Sequence, residues 1–160
     1  MGSVGISGSD RDYLRLAVDR AREALHAGDD PFGTVLVDED GTVLFSDRNR
    51  VVSDSNPMRH PEFTAAEWAV ANLSATGRAR CTVYTSGEHC PMCAAAHGWA
   101  GLGRIVYATS ATQFASWAAG DGRPPSPVAP VRIREILPGI VVDGPDPSLA
   151  GEVRELHRRA

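Results

Sequence analysis

The chain has 160 residues, 42% hydrophobic and 22% charged, which is one domain's worth of material and enough to bury a core without disulfides. No run approaches the ~18 apolar residues of a membrane span, and the start lacks a basic region followed by an apolar stretch, so the expected compartment is the cytoplasm. The net charge is −4 and all 16 basic residues are arginine, a balance that argues against a large nucleic-acid footprint.

Residues 1–9 are rich in Gly and Ser and read as a flexible N-terminal tail, leaving 10–160 as a single domain. Asp10 is placed to cap a first helix. Tyr13, Leu14, Ala17, Ala21 and Leu25 then repeat at helical spacing up to Gly28. Thr34–Val37 and Thr42–Phe45 flank an Asp-Glu-Asp-Gly turn and predict a hairpin. A polar loop follows over 48–59. Pro61 suits the first turn of a second helix running to about Leu73. Cys81–Thr85 reads as a buried strand, and the next helix spans about Cys90 to Gly101. A strand is expected at Arg104–Thr109 and a short helix at Thr112–Ala119. Residues 121–130 hold four prolines and read as a loop over something. Residues 131–137 fit either a short helix or an extended segment. Ile140–Val142 reads as a short strand and Ser148–Arg159 as a closing helix. Its basic residues Arg154, His157, Arg158 and Arg159 suit a solvated face. Helices alternating with strands predict a three-layer α/β domain, and the initial hairpin makes its sheet mixed.

The chemistry concentrates in two segments, His60-Pro61-Glu62 and Glu88-His89-Cys90-Pro91-Met92-Cys93. Three cysteines, two of them in a C-x-x-C, fit metal or redox use better than a disulfide framework. Cys90 and Cys93 fall on one face of a helical turn, where free backbone N–H groups favour thiolates. His60 opens its own helix and is expected to meet them. Three such ligands leave a zinc ion one open position, the mark of a catalytic rather than a structural site. Glu62 is displaced around the helix from His60, beside that position. A redox pair is the alternative for the C-x-x-C. A closed four-ligand zinc is another, with Cys81, His89 or His97 as the fourth ligand. Cys81 stands roughly ten ångströms or more from the other end of its strand and reads as a core residue. His97, one turn past Cys93, is the strongest of the three, but it is expected to pack or bond nearby because the ligand-bearing turn is the first one.

These residues resemble the zinc-dependent cytidine-deaminase-like superfamily, and more closely its guanine/cytosine nucleobase branch, over roughly 11–120. Asp30-Pro31-Phe32-Gly33 before Thr34–Val37, Asn49 before Val51, Thr85–Cys93, Trp99 and Ile105–Tyr107 carry the likeness. The resemblance implies an α/β/α fold with a mixed sheet of about five strands. It implies one zinc per chain on His60, Cys90 and Cys93, with Glu62 as proton shuttle. Asn49 is expected to hydrogen-bond the substrate, and Phe32 and Trp99 to line its faces. The plainer alternatives are a loop cap for Asn49 and core packing for the two aromatics. Asp121 is a further candidate contact. The implied reaction is hydrolytic deamination of a small heterocyclic amine such as guanine, cytosine or an aminotriazine-like ring, by a homodimer. The alternatives are a tRNA adenosine deaminase and a non-catalytic zinc-stabilised binding protein. Two positions depart from the family pattern: Pro61 stands where Ala or Val is usual, and His89 where Pro is usual.

Overall fold

The computed structural model describes residues 3–160, so Met1 and Gly2 of the expected tail lie outside the described residues. In chain order the elements are α1 (Gly8–His26), β1 (Gly33–Val37), β2 (Val43–Arg48), α2 (Pro61–Asn72) and α3 (Ala75–Arg80). They continue with β3 (Thr82–Gly87), α4 (Pro91–Ala100), β4 (Ile105–Thr109), α5 (Ala111–Gly120), α6 (Ile133–Ile136), β5 (Val142–Asp143) and α7 (Pro147–Arg158). The five strands form one sheet in the order β2-β1-β3-β4-β5. β1 runs antiparallel to β2 and β3, whereas β3, β4 and β5 are mutually parallel. This is the mixed α/β architecture that the sequence predicts. Among the described residues, no helix is long and apolar enough to cross a membrane.

Alternation along the strands builds two apolar layers. Val35, Val37, Tyr84, Val106 and Ala108 face α1 and α7, meeting Leu14, Ala17, Val18, Val153 and Leu156. Leu36 and Val83 face the other way, onto Ala66 and Ala69 of α2 and Ala100 of α4. Ala94 of α4 also packs with Ile105, Ile133 and Val142. At Gly33 the α1 backbone lies directly on the sheet. A Cβ there would sit 2.1 Å from the Ala17 carbonyl oxygen, so the position admits no side chain.

The boundaries differ from expectation in several places. Ser7, not Asp10, caps α1. Its hydroxyl accepts from the Asp10 N–H, and the Asp10 carboxylate accepts from the Ser7 N–H, a reciprocal capping box. The segment ahead of it is docked, because Asp143 Oδ1 accepts from the N–H groups of Val4 (2.9 Å) and Gly5 (2.8 Å). α3 has no counterpart in the expected elements. It is a single short helix on a Ser74 cap, without an apolar face to announce it. Of the two alternatives for residues 131–137, the short helix is found, as the one turn of α6, whereas β5 falls at Val142–Asp143 rather than Ile140–Val142.

Pairing of Thr34 with Thr85 places the start of β1 beside the end of β3. The segment before β1, the N-terminus of α4 and the N-terminus of α2 therefore meet at one end of the sheet.

Candidate active site

His60 is the N-cap of α2 and Cys90 the N-cap of α4, and each is followed by a proline at the first helical position. Proline costs nothing there, since that N–H has no partner within the helix. Neither cap side chain makes a helix-capping hydrogen bond, and the two face each other. His60 Nδ1 stands 3.6 Å from Cys90 Sγ and 3.6 Å from Cys93 Sγ. The three ligand atoms lie within 4.8 Å of one another.

That donor set fits zinc. Bonds of about 2.0–2.1 Å to nitrogen and 2.3 Å to sulfur at tetrahedral angles put N and S roughly 3.6 Å apart, the separation found here. Hydrogen bonds from Cys93 and from His60 hold the Cys90 thiol down to about 4. Cys93 donates to Cys90 and is buried, so it is pushed up. The pair gives up one proton readily, and a divalent cation removes the penalty on the second.

Glu62 is buried beside this cluster and is not part of the ligand group. Its Oε1 accepts from the Thr85 hydroxyl at 2.9 Å, and its Oε2 lies 3.8 Å from Cys93 Sγ. Burial pushes its carboxyl up from the usual range. A carboxyl held this way, beside but outside the donor group, has the chemistry of a proton acceptor and donor.

A cavity of ≈ 550 Å³ opens over these groups, with Asn49, Phe32, His60, Glu62 and Cys90 in its lining. Asn49 is 3% exposed; its Oδ1 accepts from the Val51 N–H at 3.0 Å and its own N–H bonds the Phe32 carbonyl at 2.9 Å. Asp29, which the sequence did not single out, locks that loop. Its carboxylate accepts from the N–H groups of Val52 and Ser53 at 2.8 Å each, from Arg48 at 2.7 Å and from the Ser53 hydroxyl. Burial alone would raise its pKa, but the bonds from Ser53, Arg48 and Val52 hold it at about 2. Phe32 meets Phe114 edge-on, with ring centroids 5.3 Å apart.

The roof is α5 and the proline-rich segment before α6, so the loop predicted to lie over something does. Glu88 ties the two ends of this roof together. Its Oε2 accepts from the Ala111 N–H at 2.9 Å and its Oε1 from the Ile133 N–H at 3.1 Å. No local motif marks such a role, because residues 111 and 133 meet only in the fold.

Two expected contacts are corrected. Trp99 is 92% exposed and lies in a shallow groove with Phe63 and Val70, away from the cavity. Nine residues past Cys90, at 3.6 residues per turn, it falls on the opposite side of α4. Asp121 is paired with Arg154 at 2.7 Å and does not line the cavity. None of the candidate fourth ligands joins the cluster. Cys81 is buried in the core and bonds the Gly77 carbonyl. The His97 ring bonds the Gly103 carbonyl at 2.8 Å. His89 is buried with its ring edge-on to His97 at 5.4 Å.

Comparison with known proteins agrees with this geometry. The chain is 38% identical over 112 residues to a probable cytosine deaminase of Schizosaccharomyces pombe, covering 69% of this chain and 66% of that protein. It is 38% identical over 110 residues to a guanine deaminase of Bacillus subtilis, covering 68% and 70%. A solved structure described as a guanine deaminase from Nitrosomonas europaea superposes with a TM-score of 0.71 at 22% identity, over 96% of this chain and 86% of that one, a likeness of fold. The profile of the cytidine and deoxycytidylate deaminase zinc-binding region matches residues 7–109, a span that contains His60, Glu62, Cys90 and Cys93. With that match over most of the chain, the protein belongs to the zinc-binding cytidine and deoxycytidylate deaminase family.

Proposed function

We propose that this protein is a zinc-dependent hydrolase that deaminates a nucleobase or related amino-substituted ring of the guanine, cytosine or aminotriazine type, releasing ammonia. The observation that carries the proposal is the buried Glu62 carboxyl, raised in pKa and set against a three-donor group that excludes it. When bound to His60, Cys90 and Cys93, one zinc per chain supplies a water of lowered pKa and a charge for the developing oxyanion. Glu62 accepts the proton released by attack on the amine-bearing carbon. It then returns protons to the adjacent ring nitrogen and to the departing amine, acting as base and then as acid. Asn49 reads the ring edge with its amide, and Phe32 packs on the ring. Pro61 offers no N–H to the substrate, so recognition on that side falls to side chains.

The test is ammonia release from a panel of free bases, nucleosides, aminotriazines and a tRNA anticodon arm. Turnover of small heterocycles by the wild type is expected, with a loss of about 10²–10⁴-fold in Glu62→Ala while zinc stays bound. A wild type silent on the whole panel, or a Glu62→Ala enzyme of full activity, would sink the proposal. We further place the partner of a homodimer on the α2–α4 face, where Trp99 and Val70 stand 92% and 55% exposed.

A further inference from the structure

The cavity is too large and too apolar on its outer side for a bare base. A free base, packed at interior density, fills on the order of 100–150 Å³, whereas the cavity measures ≈ 550 Å³. Volumes in that range suit ligands of drug size. Its two ends differ in chemistry. The inner end carries His60, Glu62, Cys90 and Asn49, with Asp30 close enough for its charge to act on His60. The outer end is built from Phe114, Ala115 and Ala118 of α5 and from Pro124, Pro125 and Val128 of the roof.

Polar groups do reach the outer end, but they are engaged by the protein. Glu88 accepts from the Ala111 and Ile133 N–H groups. The Ser110 hydroxyl caps α5 by accepting from the Gln113 N–H at 3.1 Å, and the Ser126 hydroxyl accepts from the Val128 N–H at 3.1 Å. Arg123 donates to the carbonyls of His157 (2.9 Å) and Ala160 (2.7 Å). A sugar would bring several hydroxyl groups against a wall that is mostly apolar side chain, at a cost for each that is left unpaired. The apolar residues of this outer wall all lie beyond residue 109, where the family profile ends.

From the cavity's size and the division of its lining, we infer that the substrate is an amino-heterocycle bearing an apolar alkyl or aryl substituent on the edge away from the amine. The inference rests on the deaminase proposal and names its substrate class. The reaction balance is unchanged: the exocyclic C–N bond breaks, a C–O bond forms from water, and ammonia leaves with the ring and its substituent untouched.

The experiment compares kcat/KM for cytosine with its 1-methyl, 1-propyl and 1-benzyl derivatives, and for guanine with 9-methyl and 9-benzyl guanine. Cytidine, guanosine and their monophosphates complete the panel. Each buried methylene is expected to raise kcat/KM by up to about fourfold, with the benzyl compounds best. Ala118→Phe is expected to bring the ratio of benzyl-substituted to free base down toward one, with zinc content measured in parallel. Val128→Trp, on the loop, is the second variant should Ala118→Phe lose its zinc. Free bases equal to or better than the apolar series would overturn the inference and leave the deaminase proposal standing, as would a preference for nucleosides or nucleotides. Silence on every compound removes the deaminase proposal, and the inference with it.

Discussion

Cys90 sits where a thiolate forms before any metal arrives. A helix N-terminus, a thiol donor from Cys93 and the His60 ring all favour its charge, and hold it at about 4. Removing it takes away a ligand and the group that orders the other two. Cys90→Ala is expected to lose its zinc, from about one per chain to nearly none, measured by metal analysis after gel filtration. A variant that keeps full zinc would contradict the ligand assignment. The group formed by His60, Cys90 and Cys93 was legible in the sequence because cap, proline and C-x-x-C are all local. The same economy misled at Trp99: family likeness supplied the residue, but the helix turned it outward. His89 was legible as a departure but not in its placement, enclosed against His97 rather than facing the cavity.

At the level of elements, the site is a junction of helix starts held by carboxylates. Glu88 binds the first N–H of α5 and the first of α6, so a single side chain fastens both ends of the roof. Glu88→Ala leaves both N–H groups without that acceptor. The expected result is a fall of ~2 kcal/mol in unfolding free energy and a KM raised about tenfold, with zinc content unchanged. Unaltered KM in a correctly loaded variant would show the roof closing without its clasp. Helices α1, α2 and α4 could be read from apolar spacing and from Pro61 and Pro91. α3 could not, since Ser74 is its only signal. The clasp and the Asp29 lock were illegible for a different reason: each joins segments that are remote in sequence, and composition carries no record of that pairing.

Over the whole molecule, buried histidines weigh on acid tolerance, and His97 and His157 show how. Burial lowers the His157 pKa from 6.5 to about 4, helped by the charges of Arg123 and Arg154, and burial likewise lowers His97 to about 4. The native state holds both neutral. Their stability contribution is therefore complete above about pH 6.5 and is lost as pH falls toward about 4. For His157 alone the loss is on the order of 3 kcal/mol. Asp10 and Asp29, held at about 2, add their own losses only below the normal Asp pKa of 3.8. Urea denaturation at pH 7.5 and 4.5 should show the fall, and His157→Phe should remove part of it. An unchanged pH slope in that variant would exonerate the ring. The proposed dimer makes a separate prediction at this scale: Trp99→Asp should sediment as a monomer, and a wild type that is already monomeric would remove the interface. His157 has one more consequence. It lies on α7, a helix that packs on the sheet face opposite α2 and α4, yet its ring rests 4.9 Å from Phe32 and 4.8 Å from Phe114. The width of the cavity is thus set partly from behind, and a mutational search confined to positions that touch substrate would overlook one of the levers that tunes it.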